Sequence, residues 1–250
     1  MKGVILTAGR GSRLYPLTYG VAKAMLPIYD KPMILYAVDL LKNLGIRDIC
    51  LVVNKEFKGS FKMLLGNGSK FGVKLNYVVQ DIPRGNAEAL LLCEGYCRGE
   101  NVCLMFGDNI FYFEDKEKSI KKILNCVKEN KGALIVSKRV SYPQNFGVLE
   151  CCGDIVVDLK EKPKESNSNL VSTGLFFYQS DVFDLLRDVK VSKRGELENV
   201  WVLDKYIKEG RCSKVECEGL NWFDAGRAED LFKASEFIRE IKLKTGRDIF

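Results

Sequence analysis

Two segments that lie far apart in the chain each place an aspartate after an apolar run. Asp108 follows Leu104-Met105-Phe106-Gly107, and Asp224 stands within Trp222-Phe223-Asp224-Ala225-Gly226. Either aspartate alone is most simply read as a turn or helix cap. A pair of them would supply the hard oxygen ligands that magnesium favours, together with water and substrate phosphates. The sequence therefore predicts a Mg²⁺ site formed by Asp108 and Asp224.

A glycine-rich turn, Leu6–Leu14, follows the first apolar run of the chain. At the carboxyl end of a strand, its backbone N–H groups would face a phosphate. No Gly-Lys-Ser/Thr follows, so the turn is not a Walker A loop, and Leu14 occupies the place of the third glycine of a dinucleotide fingerprint. Taken alone, the turn could simply reverse the chain.

Two cations, Arg13 and Lys23, stand on the same loop before the first predicted helix. A triphosphate needs such cations beside exposed N–H groups, because the charge that develops on it must be neutralised. The pattern favours chemistry on phosphate groups.

The chain contains no histidine. This excludes Ser-His-Asp and Cys-His hydrolases, histidine-ligated zinc enzymes and imidazole acid-base catalysis. Any reaction must depend on carboxylates, lysine, arginine, backbone N–H groups or a metal held by oxygen.

The composition is that of a soluble globular protein, since 250 residues with 46% apolar content can bury a sizeable core. Nine cysteines include no Cys-x-x-Cys pair, which favours reduced thiols buried as small apolar residues. The net charge of +6 is spread among interleaved acidic and basic residues, a pattern that argues against a nucleic-acid partner. Without a signal peptide or membrane span, we expect a cytoplasmic protein with no membrane partner.

The elements that must position these residues alternate between β-rich runs and amphipathic segments. Asp30 is expected to cap the first helix, which Lys31-Pro32 opens and Gly45 ends. A hairpin should turn at Gly153-Asp154. We expect further strands near 4–8, 49–53, 75–80, 102–106, 134–137, 175–178 and 214–217, and helices near 57–65, 87–97, 116–129, 182–188, 197–208 and 228–244.

This alternation predicts the α/β class, with a Rossmann-like mixed, mainly parallel sheet flanked by helices. Residues 1–250 are expected to form a single domain. A nucleotide-binding half would span about 1–140, and a second half of about 141–250 would be added to the same sheet.

Ordered blocks from about Lys2 to about Arg239 resemble the sugar-1-phosphate nucleotidyltransferase family, and within it the glucose-1-phosphate thymidylyltransferase branch. The blocks are Leu6–Thr18, Lys23–Met33, Leu65–Ser69, Gly107–Tyr112, Phe146–Val148, Glu161–Pro163, Thr173-Gly174, Arg194–Glu198 and Trp222–Gly226. As a set they are highly specific.

The resemblance implies a magnesium-dependent enzyme whose substrates are a nucleoside triphosphate and a sugar 1-phosphate. Arg13, Lys23 and Asp108 would be catalytic, with Asp108 and Asp224 holding the metal. The implied nucleotide-binding residues are Leu6, Ala8, Gly9, Gly11, Ser12, Arg13, Gln80, Pro83, Gly85 and Asp108. The implied sugar-phosphate-binding residues are Lys23, Gly147, Glu161, Lys162, Thr173 and Arg194.

The implied reaction transfers a nucleotidyl group, from dTTP by preference, to glucose 1-phosphate and yields dTDP-glucose and pyrophosphate. Ala8, usual in uridylyl enzymes, and Ala24, at a position where a glutamine would contact the nucleoside sugar, keep UTP or another hexose 1-phosphate open as alternatives. The long thymidylyl enzymes continue with further helices, whereas this chain stops at Phe250. We therefore expect a short form, monomeric or homodimeric, without their regulatory nucleotide site.

Two readings from other classes compete with this one. A catalytically silent nucleotide-sugar-binding regulatory protein would keep the fold, but it would not need Arg13 together with both aspartates. A nicotinamide-dependent oxidoreductase is disfavoured by Leu14 and by the absence of a ribose-binding acid after the second strand.

Overall fold

The computed structural model describes residues 1–192 and 194–246, in which strands and helices alternate along most of the chain. The strands are β1 Lys2–Leu6, β2 Pro27–Ile28, β3 Lys31–Pro32, β4 Asp48–Asn54, β5 Lys74–Gln80, β6 Val102–Phe106, β7 Asn109–Phe113, β8 Ala133–Arg139, β9 Gly147–Cys152, β10 Ile155–Glu161, β11 Leu170–Tyr178, β12 Cys212–Glu216 and β13 Leu220–Asp224. The helices are α1 Met33–Asn43, α2 Lys58–Leu65, α3 Asn86–Leu91, α4 Glu94–Cys97, α5 Lys116–Glu129, α6 Val182–Leu186, α7 Val200–Lys208 and α8 Ala228–Thr245.

One compact unit, called the first unit below, comprises Gly3–Pro83, Met105–Tyr112 and the described part of Asn221–Phe250. Its strands β5, β4 and β1 lie side by side in that order and are all parallel. Parallel pairing brings the carboxyl ends of these strands to one edge, where Leu6 pairs with Val52. That edge carries the glycine-rich turn.

Helix α1 begins later than the sequence predicts, and the predicted cap is wrong. Pro32 occupies the N-cap position without a side-chain hydrogen bond, and Asp30 forms an ion pair with Lys242 of α8 instead. The reason is the short β2–β3 ladder, in which Ile28 pairs with Lys31 and keeps the chain extended up to Pro32. The helix can start only after that ladder ends.

The core of the first unit joins α1 and α8 through side chains of 2% exposure or less. Its members are Ile28, Met33, Tyr36, Ile110, Ala225, Ala234 and Ile238. Ile110 and Ala225 each lie one or two residues from a predicted metal ligand. Burial of these two neighbours therefore anchors the segments that carry the aspartates.

The second unit comprises Met1–Lys2, Arg84–Leu104 and the described part of Phe113–Leu220. Its strand order β11-β8-β12-β10-β9 contains one parallel pair, β8 with β12, among antiparallel neighbours. The hairpin predicted at Gly153-Asp154 is confirmed, since Cys152 pairs with Ile155. Parallel strands in one unit and mixed strands in the other, both with helices, confirm the predicted α/β class.

Several element boundaries differ from the sequence prediction. The helix expected near 87–97 is divided into α3 and α4, and the helix expected from 197 begins only at Val200. Strands β7 and β13, which the sequence analysis did not identify, pair with each other as a separate two-stranded sheet. Their pairing partners lie more than a hundred residues apart in the chain, which local patterns do not reveal.

Among the helices of residues 1–192 and 194–246, none is long and apolar enough to span a bilayer.

Thiol reactivity should follow burial. All nine cysteines are free; Cys103 and Cys212 are fully buried and Cys152 is exposed. Burial raises the pKa of the Cys212 thiol to about 12, so both access and thiolate formation are suppressed. We expect an aromatic disulfide reagent at pH 8 to label Cys152 first and to leave Cys103 and Cys212 unlabelled, as measured by peptide mass spectrometry.

The denatured protein, in which all nine thiols should react, is the control. Rapid labelling of Cys103 or Cys212 in the native protein would contradict the burial of these residues.

Candidate active site

The glycine-rich turn is held at both ends by hydrogen bonds to the backbone. The N–H and the Oγ1 of Thr7 both donate to the Val52 carbonyl, at 2.9 and 2.7 Å. Gly11 has a φ of +66°, and its carbonyl accepts a 2.8 Å hydrogen bond from Thr18 Oγ1. A 3₁₀ turn at Ser12–Leu14 then buries Leu14 and leaves Arg13 exposed. The turn thus presents a cation on a fixed backbone.

Gly107 brings Asp108 close to the end of β1. The Gly107 N–H donates to the Leu6 carbonyl at 2.9 Å, and a Cβ on Gly107 would lie 2.6 Å from Thr7 Cγ2. Only glycine fits this close approach. The aspartate that follows it is therefore delivered directly beside the glycine-rich turn.

Lys23 and Asp108 form an ion pair between Nζ and Oδ2. Lys23 opens a second 3₁₀ turn, Lys23–Met25, and the side chains of Lys23 and Asp108 retain 11% and 26% exposure. The pair is largely removed from bulk water, but a ligand can still reach the carboxylate. Because little water screens these two charges, Lys23 and Asp108 attract each other more strongly than an exposed ion pair would.

The backbone joins the two aspartate segments directly. The Ala225 N–H donates to the Asp108 carbonyl at 3.0 Å. This hydrogen bond lies beside the paired strands β7 and β13, since β7 begins at Asn109 and β13 ends at Asp224. The two aspartates, separated by more than a hundred residues in sequence, are therefore neighbours in space. A shared Mg²⁺ site, as predicted from the sequence, requires this proximity.

The two carboxyl groups have pKa shifts of opposite sign. Burial favours a higher pKa for Asp108, but the attraction and hydrogen bond of Lys23, with a contribution from Arg13, hold the pKa of Asp108 below its usual value. Burial raises the pKa of Asp224 to about 6, and the negative charge of Asp108 adds to this rise. Lys23 and Arg13 oppose the rise without cancelling it. The site thus opposes ionisation of Asp224 while it favours ionisation of Asp108.

Gly226 leaves room for Arg13 beside Asp224. A Cβ on Gly226 would lie 2.8 Å from Arg13 Nη2 and 2.9 Å from Asp224 Oδ1. The guanidinium therefore lies against the backbone just beyond Asp224, and any larger residue at position 226 would displace it. This brings Arg13, Lys23, Asp108 and Asp224 into one cluster within the first unit.

The chemistry of the cluster fits a magnesium ion. Two neighbouring carboxylates repel each other, and a divalent cation would remove that repulsion. No group of three or more histidine, cysteine or acidic side chains that could hold a metal occurs in the described ranges. Two carboxylates suit Mg²⁺, which retains several waters and binds substrate phosphates.

Sequence reasoning missed Asn109 and Trp222. Asn109 Nδ2 donates to Asp108 Oδ1 at 2.8 Å, and Trp222 Nε1 donates to Asn109 Oδ1 at 2.7 Å. Both residues lie in blocks that carry the family resemblance, Gly107–Tyr112 and Trp222–Gly226, and next to or near a predicted metal ligand, but the sequence assigned them no role.

The other predicted nucleotide-binding residues are divided between the units. Leu6 ends β1, Ala8 is buried after it, and Gly9 and Ser12 are exposed on the turn. Buried Gln80 ends β5, and Pro83 closes that part of the first unit. Gly85 belongs to the second unit, where it immediately precedes α3.

A second cluster in the second unit contains the predicted sugar-phosphate-binding residues. Arg194 Nη1 lies 3.3 Å from Glu161 Oε1 and 2.9 Å from Glu198 Oε1, and Lys162 Nζ lies 3.6 Å from Glu161 Oε1. A Cβ on Gly147 would lie 3.1 Å from Glu161 Oε2. Three predicted residues, Gly147, Lys162 and Arg194, therefore surround the carboxylate of a fourth, Glu161.

Lys162 has an uncommon backbone conformation. Its φ is +47°, in the left-handed region that favours glycine, and its N–H donates to the Phe146 carbonyl at 3.0 Å. Such strain concentrates where a side chain is needed in one direction. Thr173 differs from its neighbours in this set, because it is fully buried and its hydroxyl donates to the Val136 carbonyl at 2.7 Å.

A cavity of about 850 Å³ in the second unit contains none of the predicted site residues. Its polar lining includes Arg139, Gln144, Glu150, Lys164 and Asn167. The predicted catalytic and sugar-phosphate-binding residues all lie outside this cavity.

Comparison with known proteins identifies the family. The family model described as Nucleotidyl transferase matches residues 2–241. The chain belongs to the nucleotidyl transferase family. This confirms the predicted enzyme class.

Named relatives agree with this assignment. The chain is 39% identical to the glucose-1-phosphate thymidylyltransferase of Neisseria meningitidis serogroup A, over 97% of this chain and 84% of the relative. It is 40% identical to the enzyme of the same name from Mycolicibacterium smegmatis, over 98% of this chain and 85% of the relative.

Solved structures confirm the fold of this nucleotidyl transferase. A Bacillus anthracis structure described as a glucose-1-phosphate thymidylyltransferase in complex with a sucrose is 37% identical, covers 96% of each chain and gives a TM-score of 0.88. A UDP-glucose pyrophosphorylase complexed with UDP-glucose, 23% identical over 96% of this chain and 98% of that one, gives a TM-score of 0.85 and shows the fold alone.

The burial of Asp224 beside Asp108 predicts that the ionised carboxyl group of Asp224 destabilises the metal-free protein. Asp224→Asn should raise its free energy of unfolding at pH 8 by about 1–2 kcal/mol, because the variant no longer buries a second negative charge. Urea denaturation in the presence of EDTA measures this. Mg²⁺ should stabilise the wild type and should stabilise Asp224→Asn far less.

Asp81→Asn is the matched control, since Asp81 is exposed and its nearest cation, Lys55, lies 3.9 Å away. It should change stability little. Equal Mg²⁺ stabilisation of wild type and Asp224→Asn would contradict a metal site at Asp224.

Proposed function

We propose that this nucleotidyl transferase transfers a nucleotidyl group from a nucleoside triphosphate, with dTTP favoured, to glucose 1-phosphate, producing dTDP-glucose and pyrophosphate. The ion pair of Lys23 with Asp108, beside Asp224 and Arg13, is the observation that carries the proposal. The thymidylyltransferases at 39% and 40% identity support the choice of dTTP and glucose 1-phosphate.

The reaction needs no general base, because a sugar 1-phosphate is already an anion at neutral pH. Its oxygen can attack the α-phosphorus directly, with pyrophosphate leaving from the opposite side. Catalysis then consists of aligning the two anions and neutralising their charge. A chain without histidine can carry this out.

Lys23 would bridge the attacking and attacked phosphates, and Arg13 would hold the pyrophosphate that leaves. Asp108 and Asp224 would hold Mg²⁺, which when bound supplies charge neutralisation at the phosphates. The ion pair with Asp108 directs the side chain of Lys23 toward this position. Gly226 does the same for Arg13 by leaving room for its guanidinium.

The nucleotide would be bound by the first turn and by the end of β5. Gly9 and Gly11 would wrap the phosphates, with Leu6, Ala8 and Ser12 around them. Gln80 would read the base edge, aided by Pro83 and the backbone of Gly85, since paired donors and acceptors discriminate a pyrimidine. UTP is the nearest alternative substrate.

The sugar 1-phosphate would be bound by Gly147, Glu161, Lys162 and Thr173, with Arg194 on its phosphate. The carboxylate of Glu161 can accept hydrogen bonds from sugar hydroxyl groups. The division into a nucleotide-binding half, about 1–140, and a sugar-phosphate-binding half, about 141–250, belongs to the same proposal. The homodimer, the cytoplasmic location and the lack of nucleic-acid or membrane partners stay predictions.

Pyrophosphate release tests the function directly. The protein is incubated with Mg²⁺, each nucleoside triphosphate and a set of sugar 1-phosphates. Release with dTTP and glucose 1-phosphate is expected to be fastest. No release with any pair would favour a regulatory nucleotide-sugar-binding protein instead.

Asp108→Asn should lower the rate of pyrophosphate release by at least about 100-fold, because a neutral amide is a poor Mg²⁺ ligand and no longer pairs with Lys23. Steady-state kinetics at saturating substrates measures this. Asp81→Asn serves as the control and should retain the wild-type rate. Retained activity of Asp108→Asn would remove Asp108 from the mechanism.

Lys162→Gly should separate stability from activity. Removing the side chain relieves the left-handed backbone and should raise the free energy of unfolding by about 1 kcal/mol. Loss of the ammonium should lower kcat/KM for the sugar 1-phosphate at least about tenfold. Urea denaturation and steady-state kinetics measure the two effects.

Lys164→Gly is the control, because Lys164 is exposed and has no positive φ. It should give no gain in stability and little change in kcat/KM. A Lys162→Gly variant with unchanged kinetics would contradict a substrate role for Lys162.

A further inference from the structure

A hydrogen-bonded chain of two side chains leads from β13 to Asp108. Trp222 Nε1 donates to Asn109 Oδ1 at 2.7 Å, and Asn109 Nδ2 donates to Asp108 Oδ1 at 2.8 Å. Asn109 is only 4% exposed. Its amide therefore depends on protein partners, and both of its ends have one.

The indole of Trp222 decides which way the amide of Asn109 faces. An indole N–H can only donate, so Asn109 must turn its Oδ1 toward Trp222 and its Nδ2 toward Asp108. The opposite orientation would place Asn109 Oδ1 against Asp108 Oδ1, two acceptors without a proton between them. Leaving such buried groups unpaired is unfavourable, so one orientation is selected.

Each oxygen of Asp108 thereby accepts a hydrogen bond from a different side chain. Oδ2 accepts from Lys23 and Oδ1 accepts from Asn109. Two fixed donors prevent rotation of the carboxylate, while each oxygen keeps a lone pair for a further partner. The side chain is therefore oriented before any cation binds.

We propose that Asn109 and Trp222 are positioning residues that fix the carboxylate of Asp108 in the orientation that binds a divalent cation. Trp222 acts through Asn109, and it lies two residues before Asp224, on the same face of β13. One strand would thus carry one acidic ligand and align the other. The inference rests on the proposed role of Asp108 as a Mg²⁺ ligand.

Binding of Mn²⁺ to the purified protein without substrates, followed by electron paramagnetic resonance, tests the proposal. Trp222→Phe removes the indole N–H and keeps an aromatic ring, and Asn109→Ala removes the amide. Each should weaken Mn²⁺ affinity about tenfold, the lower range for loss of a group that orients a metal ligand. The double variant should bind no more weakly than Asn109→Ala, because Trp222 acts only through Asn109.

Trp201→Phe is the matched control. Trp201 Nε1 is buried and has no hydrogen-bond partner within the described part of the chain, so its removal breaks no such chain. Mn²⁺ affinity should stay at the wild-type value. Asn109→Ala gives an independent test should Trp222→Phe fold poorly, since it leaves the indole in place.

Kinetics gives a second readout that a general loss of structure would not produce. The Mg²⁺ concentration for half-maximal pyrophosphate release should rise about tenfold in Trp222→Phe, while the rate at saturating Mg²⁺ should be largely recovered. A rate loss that no Mg²⁺ concentration recovers would overturn the positioning role.

The outcomes for the two proposals are distinct. Wild-type Mn²⁺ affinity in Trp222→Phe and Asn109→Ala, or independent losses that multiply in the double variant, would overturn the positioning proposal while leaving the transferase reaction in place. Weakened Mn²⁺ binding in these variants, with no pyrophosphate release by the wild type, would support positioning and overturn the proposed function.

Discussion

Burial of two neighbouring aspartates is the constraint that governs the charged cluster of the first unit. Burial and the charge of Asp108 raise the pKa of Asp224 to about 6, so the pair resists being ionised together. Lys23 and Arg13 attract both carboxylates and offset part of that repulsion. A divalent cation bound between the two carboxylates would offset the rest of the repulsion and would also bind substrate phosphates.

Backbone hydrogen bonds hold together the segments that form the charged cluster. Gly107 donates to the Leu6 carbonyl, and Ala225 donates to the Asp108 carbonyl, so three distant segments are joined through main-chain groups. Side chains at these junctions would interfere, since a Cβ on Gly107 or Gly226 would come within 3 Å of a neighbouring atom. Fixed main-chain geometry suits electrostatic catalysis, in which charges must be in place before reaction.

The second cluster, around Glu161, differs from the first because it contains a strained backbone position. Glu161 pairs with Arg194 and Lys162, and its carboxylate lies close to Gly147, where the absence of a side chain allows the approach. Lys162 holds its position in a left-handed conformation at a cost in free energy. Under the proposed function, the strain at Lys162 and the repulsion between Asp108 and Asp224 would be retained for substrate and metal binding at a cost in stability.

Local pattern predicted most elements because apolar periodicity and turn residues act over a few neighbours. The hairpin at Gly153-Asp154 follows from its turn chemistry. The start of α1 was missed because the β2–β3 ladder keeps Pro32 extended, and β7 and β13 were missed because each is paired only with the other. Pairing between distant segments depends on the whole chain, not on a local window.

By itself, the sequence determined the chemistry: without histidine, the reaction had to use carboxylates, cations and phosphate, and the ordered motifs indicated the family. Only the tertiary structure decided that Asp108 and Asp224 are neighbours, that Lys23 pairs with one of them, and that an asparagine and an indole hold the carboxylate in place. The physical reason is that residue types fix which bonds are possible, whereas hydrogen bonds and charges act over a few ångströms, which only the folded chain provides.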